Sequence, residues 1–158
     1  MIRALLVLAV LAGVARAEDI KLPRSVAVLH VPAGWHRLDT ANVVAAYKHD
    51  SGLVLAVTRV DLRNPSAWNS RTRDAYMTQI EKGALKGMKR TARKVGEASG
   101  VPALDLEARR DDGSALVLRV LAFRTYTMSI AVDVPRGASL SEARAVAIAF
   151  APPPDYKP

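Results

Sequence analysis

The chain has no cysteine in its 158 residues. That excludes disulfides, thiolate metal sites, a cysteine nucleophile and a lipid-modified amino-terminal cysteine. Aromatic residues make up only 5% of the sequence, too few for the rows of stacking rings that nucleic-acid readers place on open sheets. After residue 17 no stretch reaches the ~18 uninterrupted apolar residues that a membrane-spanning helix needs. There is no Gly/Ser tract, internal repeat or shift in composition, so a single domain is expected. Apolar material is ample: half of the residues are hydrophobic and the mean hydropathy is +0.08. A disordered chain does not carry that much.

The first residues have the pattern of an export signal. Arg3 supplies a positive start, Ala4 to Val14 is unbroken apolar sequence, and Ala15-Arg16-Ala17 offers small residues before a cut at Glu18. Twin arginines are absent, which points to general secretion in an unfolded state. The expectation is a cleavable secretory signal at 1–17 and one domain at 18–158, periplasmic or extracellular. No transmembrane segment is expected after cleavage.

Along the mature chain, Ser25 to Val31 is a β-rich run closed by Pro32-Ala33-Gly34. Val43–Lys48 and Leu53–Leu62 flank a hairpin turn at Asp50-Ser51-Gly52. A helix follows, capped by Asn69 or Ser70, with Tyr76, Ile80 and Ala84 on one face, Arg73, Gln79 and Glu81 elsewhere, and Gly87 as its stop. Lys89 to Val95 is a weakly signalled extended segment. Ala103–Ala108 alternates as a half-buried strand, and Asp111-Asp112-Gly113-Ser114 turns the chain back. Ala115 to Val134 contains neither Gly nor Pro. It is too long for one strand and divides near Arg124-Thr125. Ser139 and Glu142 form a capping box for a last helix with Leu140, Ala143, Ala147 and Phe150 on its apolar face, ended by Pro152-Pro153-Pro154. Hairpin-linked strands with segregated helices predict an α+β fold. It would hold a central antiparallel sheet of about six strands flanked by two main helices as an α/β/α sandwich.

This pattern resembles the PsbP-like fold family, named for an extrinsic subunit of photosystem II. The resemblance is carried by Val31-Pro32-Ala33-Gly34-Trp35 after the first strand and by the helix containing Tyr76. It continues through Gly100-Val101-Pro102-Ala103 leading into a strand, the hairpins that follow, and a final helix ending at Phe150. It implies an antiparallel sheet with helices on its faces, in a small binding or assembly-support protein. It brings no shared catalytic constellation to carry onto these residues.

Nothing in the motifs builds an enzyme. The three histidines, His30, His36 and His49, lack the helical i, i+4 spacing of a zinc site. The sequence contains no nucleophile elbow, no Ser-x-x-Lys, no calcium loop and no phosphate-binding glycine loop. Asp105 and Glu107, with Arg109 beyond them, suit a solvated cross-strand charge ladder. Trp35 and Trp68 sit beside turns, where a large ring seals the end of a core. No catalytic residue, metal ligand or cofactor is therefore expected.

Charge is the one feature that stands out. Setting aside Arg3 and Arg16 leaves 21 basic residues against 15 acidic. From Lys82 to Gly96 there are six bases, Lys82, Lys86, Lys89, Arg90, Arg93 and Lys94, and no acid. The whole excess lies there. The expectation is an exported, non-enzymatic binding or assembly-support protein of the cell envelope that engages an anionic partner through this segment: an envelope protein or another anionic envelope component. Nucleic acid is not expected outside the cell. The other reading is a small-ligand carrier or hydrolase with a cleft near Trp35, His36 and Trp68.

Overall fold

The structure, a computed structural model, describes residues 17–157. The signal read in Met1–Ala17 lies outside the described residues except for Ala17. Among them, strands β1 (Glu18–Lys21), β2 (Val28–Val31), β3 (Trp35–Arg37), β4 (Ala45–His49) and β5 (Val54–Asp61) come first. A short 3-10 turn at Pro65–Ala67 and helix α1 (Ser70–Ala84) follow. Then come β6 (Lys89–Ala98), β7 (Val101–Arg109), β8 (Ala115–Ala122), β9 (Tyr126–Val134) and helix α2 (Leu140–Ala149). Seven strands form one antiparallel sheet in the order β3-β4-β5-β9-β8-β7-β6, and β1 pairs with β2 as a separate ribbon. No helix among the described residues is long and apolar enough to cross a membrane.

The α+β class and the two helices agree with the sequence reading, and the count of about six strands is corrected to seven plus two. The added strands β1 and β3 are only four and three residues long, and mostly polar. So short a stretch cannot display a period-two pattern. The break near Arg124-Thr125 does separate β8 from β9.

The sandwich is uneven. Register alternation sends Leu55, Val57, Val117, Leu121, Met128, Ile130 and Val132 to one face. There they pack with Leu29 of the ribbon, with Ala143, Val146 and Ala147 of α2 and with Phe150 just past its end. The other face turns Leu104, Leu106, Leu118 and Val120 toward Met77, Ile80 and Ala84 of α1 and toward Trp68. α1 thus roofs only the β7–β8 part of its side, while α2 and the ribbon together cover most of theirs. All eight residues of β8 are buried because this strand has a helix over both faces.

Three polar ties fix α2. Arg119 is 8% exposed and stands in the middle of β8. Its Nε and Nη2 donate to the two oxygens of Asp105 at 2.6 and 2.9 Å. Its Nη1 donates to the carbonyl of Ile148 at 2.6 Å and lies 3.4 Å from that of Phe150. One guanidinium therefore neutralises a strand carboxylate and satisfies carbonyls left open where the helix ends. Arg144 grips Glu107 with two bonds, at 2.5 and 2.7 Å. At the helix start, Ser139 accepts from the Glu142 amide at 3.3 Å.

The capping box read from Ser139 and Glu142 is only half made, because the Glu142 carboxylate turns instead to His49 Nε2 at 3.0 Å. The expected solvated ladder at Asp105 and Glu107 is likewise corrected. Both carboxylates lie on the face that α2 covers, and both are held by arginines.

Two outcomes follow. Arg119→Met leaves the Asp105 carboxylate and the end of α2 without partners, and should cost about 3 kcal/mol in urea unfolding. Pairing it with Asp105→Leu should restore part of that loss, and an unchanged unfolding midpoint for the single variant would contradict this account. The second outcome concerns Glu107. Hydrogen bonds from Arg144 lower its pKa, outweighing the upward push of burial, with help from the charges of Arg144 and Arg109. A carboxylate lowered in this way stabilises the fold above its unfolded value of about 4.3, and that contribution fades as pH falls through the folded value. In acid titration of stability, the gap between the native chain and Glu107→Gln should be widest above pH ~5 and should close toward pH ~2.

Candidate functional site

β6 is the last strand of the sheet, and nine of its ten residues are exposed. Its register against β7 places Arg93 opposite Leu106 and Arg90 opposite Ala108, on the α1 side of the sheet. Lys94 opposite Asp105 and Lys89 opposite Arg109 point to the α2 side. The pairing slips between Arg90 and Ala92, so one residue bulges and the strand runs regularly only from Ala92 to Ala98. Lys82 lies in the last turn of α1, and Lys86 is an exposed residue of the short link to β6.

The six bases read as one cluster divide into two groups. Arg90 and Arg93 both bind the carboxylate of Glu81, the latter from Nε at 2.9 Å. Lys82, Lys86, Lys89 and Lys94 have no carboxylate partner among the described residues. Glu81 falls one residue outside the acid-free window, and the helical reading turned it outward. It is in fact buried beside Met77, one helical turn earlier, on the face α1 presents to the sheet. That position holds a carboxylate only because two arginines of β6 reach it. Burial pushes the Glu81 carboxyl up, yet its hydrogen bonds and the charges of Arg93 and Arg90 prevail and hold it below the usual range.

Three clefts border this strand. One of about 430 Å³ lies between α1 and β6, with Met77 and Leu104 at its base and Val95 and Glu97 along its rim. A more open one of about 640 Å³ continues past Glu81 to Lys82, Leu85 and Arg90. The third, of about 310 Å³, is on the opposite side, where Ala92 and Lys94 face Ala147 and Ile148 of α2. Arg93 lines all three. Four large apolar side chains are exposed among the described residues, and two of them, Val95 and Ile148, are in this region.

The cleft read near Trp35, His36 and Trp68 is corrected. Trp35 is buried in the core beneath α2, and Trp68 packs with α1 on the other side of the sheet. A strand that alternates its side chains cannot bring those two rings together through the sheet. His36 does meet an acid, Asp50 at 2.8 Å, but both side chains are well exposed at the surface. His30 pairs with Asp19 across the ribbon at 2.6 Å. His49 accepts from the Ser51 amide at 3.1 Å, lies against Trp35, and sits so close to Gly34 that a Cβ there would be 2.6 Å from Nε2. Gly34, at φ +90°, is therefore the residue that lets His49 reach Glu142. The Tyr126 ring is stacked on Phe123 and covered by the Arg59 guanidinium at 3.8 Å.

Comparison with known proteins places this architecture. No protein-family model matches the chain, and no curated protein matches it. Solved structures do. The solution structure of cyanobacterial PsbP (CyanoP) from Synechocystis sp. PCC 6803 is similar with a TM-score of 0.63 at 14% identity, over 88% of this chain and 94% of that one. A crystal structure from Bacteroides thetaiotaomicron is similar with a TM-score of 0.55 at 12% identity, over 85% of this chain and 47% of that one. A protein of unknown function from Pseudomonas aeruginosa, a putative regulator by its description, reaches a TM-score of 0.42 at 17% identity, over 82% of this chain and 90% of that one. The seven-stranded antiparallel sheet with its two helices has a PsbP-like fold.

Proposed function

We propose that this chain is an exported, non-enzymatic binding or assembly-support protein of the cell envelope, and that the β6 edge with the end of α1 is its contact surface for an anionic partner. One observation carries the reading. Four lysines without carboxylate partners surround the most exposed strand of the sheet, and clefts open on both of its sides. Elsewhere several arginines are committed to carboxylates within the fold. Arg119 and Arg144 hold α2, and Arg59 donates to Asp61 at 2.8 Å. Charges spent on the fold are not available to a partner, so the surplus at β6 sets the field that a partner meets. That field is screened over ~8 Å at physiological salt, so contact must be close and salt-sensitive. Export rests on the leader pattern of Met1–Ala17.

The test is capture from envelope extract at low and moderate salt by Glu18–Pro158, beside a Lys82→Glu/Lys86→Glu/Lys89→Glu/Lys94→Glu form. The substitutions avoid Arg90, Arg93 and Glu81, so the tie between β6 and α1 stays intact. A specific partner should be retained by the native chain, weaken as salt rises, and bind the reversed form roughly tenfold less tightly or worse. Equal retention by both forms would contradict the proposal.

A further inference from the structure

Resting on that reading, we infer that the partner is an acidic segment of a protein in extended conformation, which binds by adding a strand to the open edge of β6.

The backbone comes first. β6 and β7 are joined through Ser99 and Gly100, both at positive φ, +49° and +75°. Two such residues between Ala98 and Val101 make the mirror-image turn that favours tight hairpins. In a β-turn the first carbonyl accepts from the fourth residue's amide, so Ala98 and Val101 are a hydrogen-bonded pair. Bonded and non-bonded pairs alternate in an antiparallel ladder. Ala92, Lys94, Gly96 and Ala98 therefore bond to β7, and Arg93, Val95 and Glu97 direct their amides and carbonyls away from the sheet. The turn at the other end of β7 gives the same phase. There Arg110 N donates to Ser114 O at 2.9 Å, which makes Ala108 and Leu116 a bonded pair and leaves Glu107 to bond with β6. From Ala92 to Ala98 a regular, unoccupied row of donors and acceptors faces outward.

The side chains select what occupies that row. A second copy of this chain paired antiparallel across the basic run would set Lys89 against Lys94 and Arg90 against Arg93. Like charges placed opposite each other are destabilising. Lysines on an edge ordinarily guard it against stray pairing, and here the same charges admit an acidic strand. Free charge is offered on both sides: Lys89 and Lys94 toward α2, and Lys82 at the end of α1 on the other. An added strand alternates its side chains in the same way. The clefts on either side of β6, with Val95 at one and Ile148 at the other, give its alternate residues a place to lie. Strand addition draws affinity from main-chain bonds and specificity from such side-chain sites.

The probe is a ten-residue peptide alternating glutamate with valine, matched to the ten residues of β6, with a lysine–valine peptide as its control. The readout is amide hydrogen exchange of the mature chain. In the free protein the amides of Lys94 and Gly96 should be protected, and those of Arg93, Val95 and Glu97 should exchange quickly. The acidic peptide should slow these last three about tenfold or more, and the lysine peptide should not.

Val95→Pro removes one outward amide without touching a bond to β7, a replacement that edge strands accept. It should abolish protection at Arg93 and Glu97 while the β7–β9 amides stay protected. If the acidic peptide binds in a salt-sensitive way but leaves the three amides exchanging, strand addition is wrong and the basic contact surface stands. If it does not bind at all, both are wrong.

Discussion

The Arg119 guanidinium, set in the centre of the sheet, decides where α2 can lie. Its bonds to Asp105 and to the Ile148 carbonyl place the end of the helix over β7 and β8, and the link between His49 and Glu142 places its start beside β4. A helix held at both points cannot also extend over β6. On the opposite face Met77, Ile80 and Ala84 pack on the β7–β8 part of the sheet. The core is thus complete with all of its last strand but Ala98 left outside it. That strand is tied to α1 through the carboxylate of Glu81.

This arrangement separates two uses of positive charge. An arginine can grip a carboxylate with two parallel bonds, and the chain uses arginine wherever a charge must hold the fold: at 119, 144, 90 and 93. Lysine is a hydrated point charge on a flexible stem, and the four lysines around β6 remain in solvent. Around β6 the same division holds: the two arginines are paired within the fold, and the lysines are displayed beside an edge whose outward backbone groups meet no further strand among the described residues.

Much of this was legible in the sequence, and the losses have physical causes. Period-two and hairpin signals located β4, β5, β7, β8 and β9, and turn and cap residues located both helices, because those elements each bury a face. β1 and β3 are too short to carry a period, and β6 buries only Ala98 and so has none. The basic cluster was visible as composition, but its division was not. The residue that divides it, Glu81, is buried against the pattern its helix displays, and only the distant strand explains why it can be. Asp105 and Glu107 were read as solvated for the same reason. Alternation identifies the polar face of a strand, and it does not reveal that a helix later in the chain brings arginines to cover it. Trp35 and Trp68 both flank turns, and only the sheet between them shows that they serve separate cores.

The central claim is that the β6 edge is the surface this protein presents to its partner. Site-specific photo-crosslinking in the native envelope tests it most directly, with a photoreactive residue at Val95 on this edge and, separately, at His36 on the opposite edge strand. The account predicts a discrete adduct from position 95, formed through an acidic stretch of the partner and lost when Lys89 and Lys94 are reversed to glutamate, with none from position 36. An adduct from position 36 alone, or one from position 95 that survives charge reversal, would contradict it.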